Sequence, residues 1–248
     1  MEEKKYKLTE ESIRFNGRTL HRIEALKDFA DVKKGDKGGF IETDSNLSHD
    51  GHAWVSDNAK VFGNAEVSGN AKVTDNAIVY DSAMVYGDAN VYGNAEVFDH
   101  AQVYGYAQVY GHAEVFDHAC VSGNSLVYGH TYVFCNANVS GMAKVFGNAR
   151  VYGDARIYGD ACVSDNANIY GHSKVYDKAM VYDYANVSDN ANVFGNAKIF
   201  DYAQVYEDAS VYGHAYVCDM ANVYGSAKVY GNAFVCDEER VCGKEKVK

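Results

Sequence analysis

Nine histidines and a surplus of acids are the groups in this chain with chemistry to offer, and their spacing is regular. His100 and His118 are eighteen residues apart, as are His112 and His130. Asp165, Asp183, Asp201, Asp219 and Asp237 repeat the same interval, Asp81, Asp99 and Asp117 form a shorter series, and Cys218 and Cys236 make a pair. If the chain returned over itself every eighteen residues, each series would become a column. A histidine column offers ring nitrogens to a divalent metal or to acid–base work. An aspartate column could hold cations, or imitate a phosphate backbone toward a nucleic-acid-binding protein. Each series also has a plainer reading, which is preferred. Histidine replaces Asn, and Asp replaces Gly, at left-handed turn positions that such residues tolerate, with Asp capping local N–H groups. A metal would further need a third ligand and supporting contacts; Asp99 and Asp117 are near, but turn acids occur throughout.

What positions these residues is a hexad that begins near Val55. Segments such as Ala59-Lys-Val-Phe-Gly-Asn, Ala89-Asn-Val-Tyr-Gly-Asn and Ala149-Arg-Val-Tyr-Gly-Asp show its form. An aliphatic residue recurs every six residues from Val55 to Val247, always Val apart from Ile157, Ile169 and Ile199. A small residue recurs from Ala53 to Ala233, always Ala apart from Ser125, Thr131 and Ser173. Such repetition marks a solenoid. Within a hexad, Ala and Val are two apart, and so are the variable and aromatic positions, which is the two-faced pattern of a strand. The variable positions are mostly Lys, Glu, Asn, Gln and Arg, so they and the aromatics face water while Ala and Val face inward. Gly or Asp followed by an Asn-like residue supplies the corner. A strand of about four residues cannot bury its face alone. Coiling three hexads into a triangular turn solves this, with each Val on the Val eighteen residues later.

The aliphatic residue followed four later by a small one, as in Val61 to Ala65 and Val67 to Ala71, resembles the hexapeptide-repeat superfamily over residues 53–247. That resemblance implies an all-β left-handed parallel β-helix of about 11 triangular coils, roughly 50 Å long at about 4.8 Å per coil. Residues 1–50 differ. Asn16-Gly17 between two alternating runs is a hairpin signal. Asp28-Phe29, Asp31-Val32-Lys33, Gly35, Gly38-Gly39-Phe40, Leu47-Ser48, Gly51 and Trp54 resemble the start of the YdcK-like hexapeptide-repeat proteins of bacteria and phages. The expected organisation is an N-terminal β-rich cap, residues 1–50, covering the first coil's open edge, and a β-helix over residues 51–248. A ligand-binding role for the cap is the alternative.

The resemblance also brings an activity to weigh. Hexapeptide acyltransferases are trimers that use a histidine base and hold acyl-CoA between neighbouring helices. Here no loop leaves the repeat and no C-terminal helix follows it, which counts against catalysis and against any cofactor. The net charge of −11 argues against direct nucleic-acid binding or an anionic membrane as partner. The N-terminus lacks an apolar signal core and no run approaches a membrane span, so a cytoplasmic protein is expected. The six cysteines, lacking metal-type spacing, are then read as reduced thiols.

Sorting the outward positions by face singles out one. The first face carries Trp54, Leu126, Cys162, Met180, Tyr216 and Phe234 at its variable positions, with Tyr92, Tyr110, Tyr128, Phe146, Tyr182 and Phe200 at its aromatic ones. It is expected to pack against a second copy or another protein. The functional expectation is a non-enzymatic, rod-like binding or scaffold protein. It would self-associate, and the YdcK-like resemblance implies a phage-encoded protein that meets a host protein through its aromatic faces or its acidic edges. The acyltransferase working at subunit interfaces is the alternative.

Overall fold

A computed structural model describes residues 4–248, and the chain forms two compact units that divide between His118 and Ala119. Both are parallel β-solenoids with an eighteen-residue coil. In the first, Trp54–Val55 pairs with Lys72–Val73, which pairs with Asn90–Val91. In the second, Cys162–Val163 pairs with Met180–Val181, which pairs with Lys198–Ile199. Hexads step through three such parallel sheets. Among the described residues no helix is long and apolar enough to cross a membrane.

The inward faces follow the sequence pattern. Val61, Val79 and Val97, with Ala59, Ala77 and Ala95, are fully buried in the first unit, and Val163, Val181, Ile199 and Val217 in the second. Each such valine contributes about 2 kcal/mol by leaving water. The strands are shorter than the expected four residues, most being two, such as Lys60–Val61. Hydrogen bonding nevertheless extends past them, because Lys60 N donates to Ala77 O at 2.9 Å and Phe62 N to Val79 O at 3.1 Å. These bonds outside the strand ladders run from an N–H to a carbonyl one coil later.

Corners turn through one left-handed residue. At Gly63 φ is +71°, and a Cβ there would meet Asp81 O at 3.0 Å. Aspartate fills the same slot elsewhere, with φ of 57° at Asp165 and 55° at Asp201. This corrects the turn reading of the histidines: the left-handed residues are Asp99, Gly111, Asp117 and Gly129, each one position ahead of a histidine. His100, His112, His118 and His130 therefore need no special backbone tolerance.

The reading of six reduced thiols also needs correction. Cys218 and Cys236 occupy the same outward slot on successive coils, with Cα atoms 4.6 Å apart, and are joined as a disulfide. Parallel in-register pairing sets that separation, which lies inside the range a disulfide spans. Cys120, Cys135, Cys162 and Cys242 keep their thiols.

The first unit begins with three strands outside the hexad. β1 (Tyr6–Phe15) and β2 (Arg18–Ala25) form an antiparallel hairpin turned at Asn16 and Gly17, both left-handed. β3 (Lys37–Ile41) pairs antiparallel with β2 and parallel with Lys60–Val61. Since these donors point toward the next coil, the matching carbonyls of the first coil have no preceding coil to serve them. β3 answers two of them, with Phe40 N to Ala59 O at 2.9 Å and Glu42 N to Val61 O at 3.1 Å. Side chains answer others: Lys5 Nζ donates to Ala53 O at 2.9 Å, and Asn46 Nδ2 to Gly63 O at 3.0 Å and Ala65 O at 2.9 Å.

Candidate functional site

The first face divides between the units. In the first unit, Tyr92 and Tyr110 stack with centroids 4.7 Å apart. Trp54 belongs to this face by register but is covered, its ring meeting Phe29 edge-on at 5.3 Å. The Asp28–Lys37 segment thus removes it from any docking surface and leaves beside it an open groove lined by Asp31, Val32, Lys72 and Thr74.

In the second unit the face carries two aromatic stretches separated at Ser164. Leu126 and Tyr128 open it, and Tyr128 stacks on Phe146 at 4.9 Å. Further along, Tyr182 stacks on Phe200 at 5.1 Å, Phe200 meets Tyr216 edge-on at 6.5 Å, and Tyr216 lies 6.0 Å from Phe234. Lys198 Nζ sits 5.3 Å from the Tyr216 ring centre. Burial pushes the Tyr182 phenol up, and Asp183 and Asp201 beside it act in the same direction. Met180 is partly open, and Phe234 is 66% exposed.

The structure adds three residues that the sequence sorting missed. Tyr184, Tyr202 and Met220 stand at the Asn-like corner position beside this face, and they are 51%, 57% and 59% exposed. Tyr184 and Tyr202 stack at 5.0 Å. Large apolar side chains therefore recur in three columns, with Lys198 interrupting the strand column and Asp183, Asp201 and Asp219 standing between the aromatic and corner columns. The signal was present, since large side chains at a corner slot otherwise held by Asn or His recur at eighteen-residue spacing.

The acidic edge lies on that same corner. Asp183 N, Asp201 N, Asp219 N and Asp237 N donate to the carboxylates of Asp165, Asp183, Asp201 and Asp219, at 3.5, 3.4, 3.4 and 3.2 Å. Each carboxylate thus reaches the backbone one coil on, rather than a local N–H as the plainer reading had it. The second carboxylate oxygen of each remains for other contacts.

The candidate ligands for a metal fall into different places. His100 and His118 stack face to face at 5.1 Å and 5°. Stacked rings aim their nitrogens along parallel lines instead of converging on one ion. His112 belongs to the first unit and His130 to the second. In the second unit His172 Nδ1 lies 3.3 Å from Asp154 Oδ2, on an exposed corner. Cys218, Asp219 and Cys236 bring ligand atoms within 4.8 Å of one another, but a disulfide offers no thiolate. As for a nucleophile, burial pushes the Cys162 thiol up, the wrong direction for one.

Comparison of the chain with protein-family models and with curated proteins finds no match.

Proposed function

We propose that the protein is a binding or scaffold protein that acts without catalysis, and that the apolar face of its second unit is the surface that docks. The observation carrying this is the triple column. Met180, Tyr184, Tyr202, Tyr216, Met220 and Phe234 present large apolar side chains to water side by side, where the variable and corner positions are mostly polar elsewhere. Exposed large apolar side chains clustered in this way mark an interaction site. Aromatic anchors are the usual hot spots of one. Asp183, Asp201 and Asp219 stand among them, so a target that interleaves Lys or Arg with apolar side chains fits the surface.

The occupant put first is a second copy of the chain, because Lys144 and Lys198 on the same face as the tyrosines supply the charge that a copy's aspartate corner would pair with. A host protein engaged by a phage-encoded partner in the cytoplasm is the extension of this reading. The repeat and the N-terminal residues quoted above support membership of the left-handed, YdcK-like group. No observation favours acyl transfer.

Light scattering on the purified chain tests the reading. A multimer is expected, and Phe234→Glu with Tyr202→Glu should reduce it to monomer while the far-ultraviolet spectrum stays unchanged. A multimer that survives both substitutions would remove this face from consideration. A clear rise in melting temperature with acyl-CoA would replace the proposal with the enzymatic one.

A further inference from the structure

The aromatic columns have missing rungs, and one of them opens a slot. On the second unit's face built by Asn168–Ile169, Asn186–Val187 and Gln204–Val205, Tyr152 stacks on Tyr170 at 5.0 Å and Tyr206 on Tyr224 at 5.1 Å. Ser188 holds the position between Tyr170 and Tyr206. A skipped rung leaves two coil steps between those rings, roughly 10 Å. The result is an open slot of about 380 Å³ lined by Tyr170, Asn186, Ser188, Asp189, Gln204 and Tyr206. Within a stacked column each ring face is covered by its neighbour. Here Tyr170 and Tyr206 each have one face bordering open space, one flat group apart.

We infer that this slot binds a guanidinium group, the arginine side chain of a protein partner, held between the faces of Tyr170 and Tyr206. The thickness admits a single planar group in register with the column. The walls select a cation. Guanidinium is planar and stacks on aromatic faces, and its attraction to the ring quadrupole acts from both sides. Its in-plane N–H groups need acceptors around the edge, and acceptors line the slot. Asn186 spends its amide N–H on Tyr184 O at 3.1 Å, which leaves its Oδ1 to accept. The Gln204 carbonyl and the Ser188 hydroxyl stand beside it. Asp189 uses one carboxylate oxygen to accept from Glu207 N at 3.0 Å, and the other is left for the ligand.

Charge rules out the nearest competitors. Asp189, followed at the same corner one coil on by Glu207 and Asp208, repels a phosphate-bearing base. A neutral aromatic side chain would stack equally well but leave the carboxylate and the amide oxygens without donors, which costs affinity. Lysine carries the charge but not the plane.

Titration of the full chain with L-argininamide, followed by NMR of the tyrosine ring resonances, tests this. Saturable shifts confined to Tyr170 and Tyr206 are expected, in the millimolar range suited to so small a ligand. L-lysinamide should bind at least about tenfold more weakly. Ser188→Phe should restore the rung, leave the melting temperature no lower, and abolish the shifts. Asp189→Asn keeps a side chain that tolerates the left-handed backbone at φ 54°, and should weaken binding at least about threefold. Absence of shifts, shifts unchanged in Ser188→Phe, or tryptophanamide binding as tightly as argininamide would each overturn the assignment.

Discussion

The start of the first unit and the coils of the second face the same demand for hydrogen-bond donors and meet it in opposite ways. In the coils, a carbonyl such as Val181 O receives the N–H of Ser164 at 3.0 Å from the coil before, by a rule repeated down the chain. At the first coil there is no coil before, so residues outside the hexad must supply the donors, partly through buried side chains. Asn46 and Lys5 do this fully buried, in surroundings that penalise both. A repeat spreads its stability over interchangeable rungs, whereas the cap concentrates it in side chains that have no substitute.

The comparison breaks most sharply at Asn46. Its Nδ2 donates to Gly63 O and Ala65 O, and its Oδ1 accepts from Glu42 N at 3.2 Å and Thr43 N at 2.9 Å. Asn46→Ala takes the partner from Gly63 O, Ala65 O and Thr43 N, while Glu42 N keeps Val61 O, and should cost about 3 kcal/mol. Asn166→Ala, at a corner of the second unit where the side chain accepts one bond from Asn148 Nδ2 at 3.3 Å, should cost within about 0.5 kcal/mol. Urea unfolding followed by the fluorescence of Trp54, the single tryptophan, reads the first unit, and far-ultraviolet circular dichroism reads the second alongside it. Equal costs at the two sites would erase the distinction between cap and coil.

Lys5 sharpens it through pH. Burial lowers its ammonium pKa from 10.5 to about 8. Between those values the native state binds fewer protons than the unfolded chain, so stability rises with pH. Below about pH 8 the amine is charged in both states, and the full cost of burying the charge is present. The rise from pH 8 to 10 should be on the order of 2 kcal/mol. Above pH 10 it reverses, because burial raises the Tyr6 phenol and the fold then holds a proton that the unfolded chain releases. In Lys5→Met the rise between pH 8 and 10 should vanish; a rise that persists would mean the amine is not its source.

The same contrast explains what the sequence could reveal. Coil length, the inward Ala and Val, and the outward aromatics follow from a period, and a period is visible without coordinates. The hairpin at Asn16-Gly17 was legible for a local reason, since two consecutive left-handed residues need that dipeptide. The capping roles of Lys5 and Asn46 were not, because both lie outside the hexad and no repeat announces side chains as donors there. The covering of Trp54 by Phe29 was hidden for the same reason. At the docking face the tyrosines of the strands were legible, while Tyr184, Tyr202 and Met220 were not, because a corner residue was read for its backbone tolerance alone. The Cys218–Cys236 disulfide is a matter of chemistry: the column follows from the period, but the bond depends on redox surroundings that a period does not encode.

A smaller effect separates the two residues that share the left-handed slot. At Gly159 φ is +69°, and an added Cβ would stand 2.8 Å from Asp177 N. Gly159→Ala should cost about 1–2 kcal/mol, from left-handed strain and from crowding of the next coil. Gly159→Asp brings the same Cβ but adds a carboxylate placed to accept Asp177 N, as Asp165 accepts Asp183 N. Its cost should be less than half as large by thermal melting. If alanine and aspartate cost the same, the carboxylate-to-amide bonds of the acidic corner stabilise nothing.

The smallest effect tests whether that corner is held by its charge or in spite of it. Asp201 accepts from Asp219 N and donates its own N–H to Asp183, so it lies between two like charges one coil away on either side. Asp201→Asn keeps an acceptor for Asp219 N and tolerates the left-handed backbone, but relieves both repulsions. At low salt it should therefore stabilise, by no more than about 0.5 kcal/mol, and the gain should fade as salt rises, because exposed charges are screened. A loss of stability that salt leaves untouched would mean that the carboxylate, not merely an oxygen at that position, is what the next coil needs. The acidic edge would then be part of the fold's own bonding, with less of it left over for a partner.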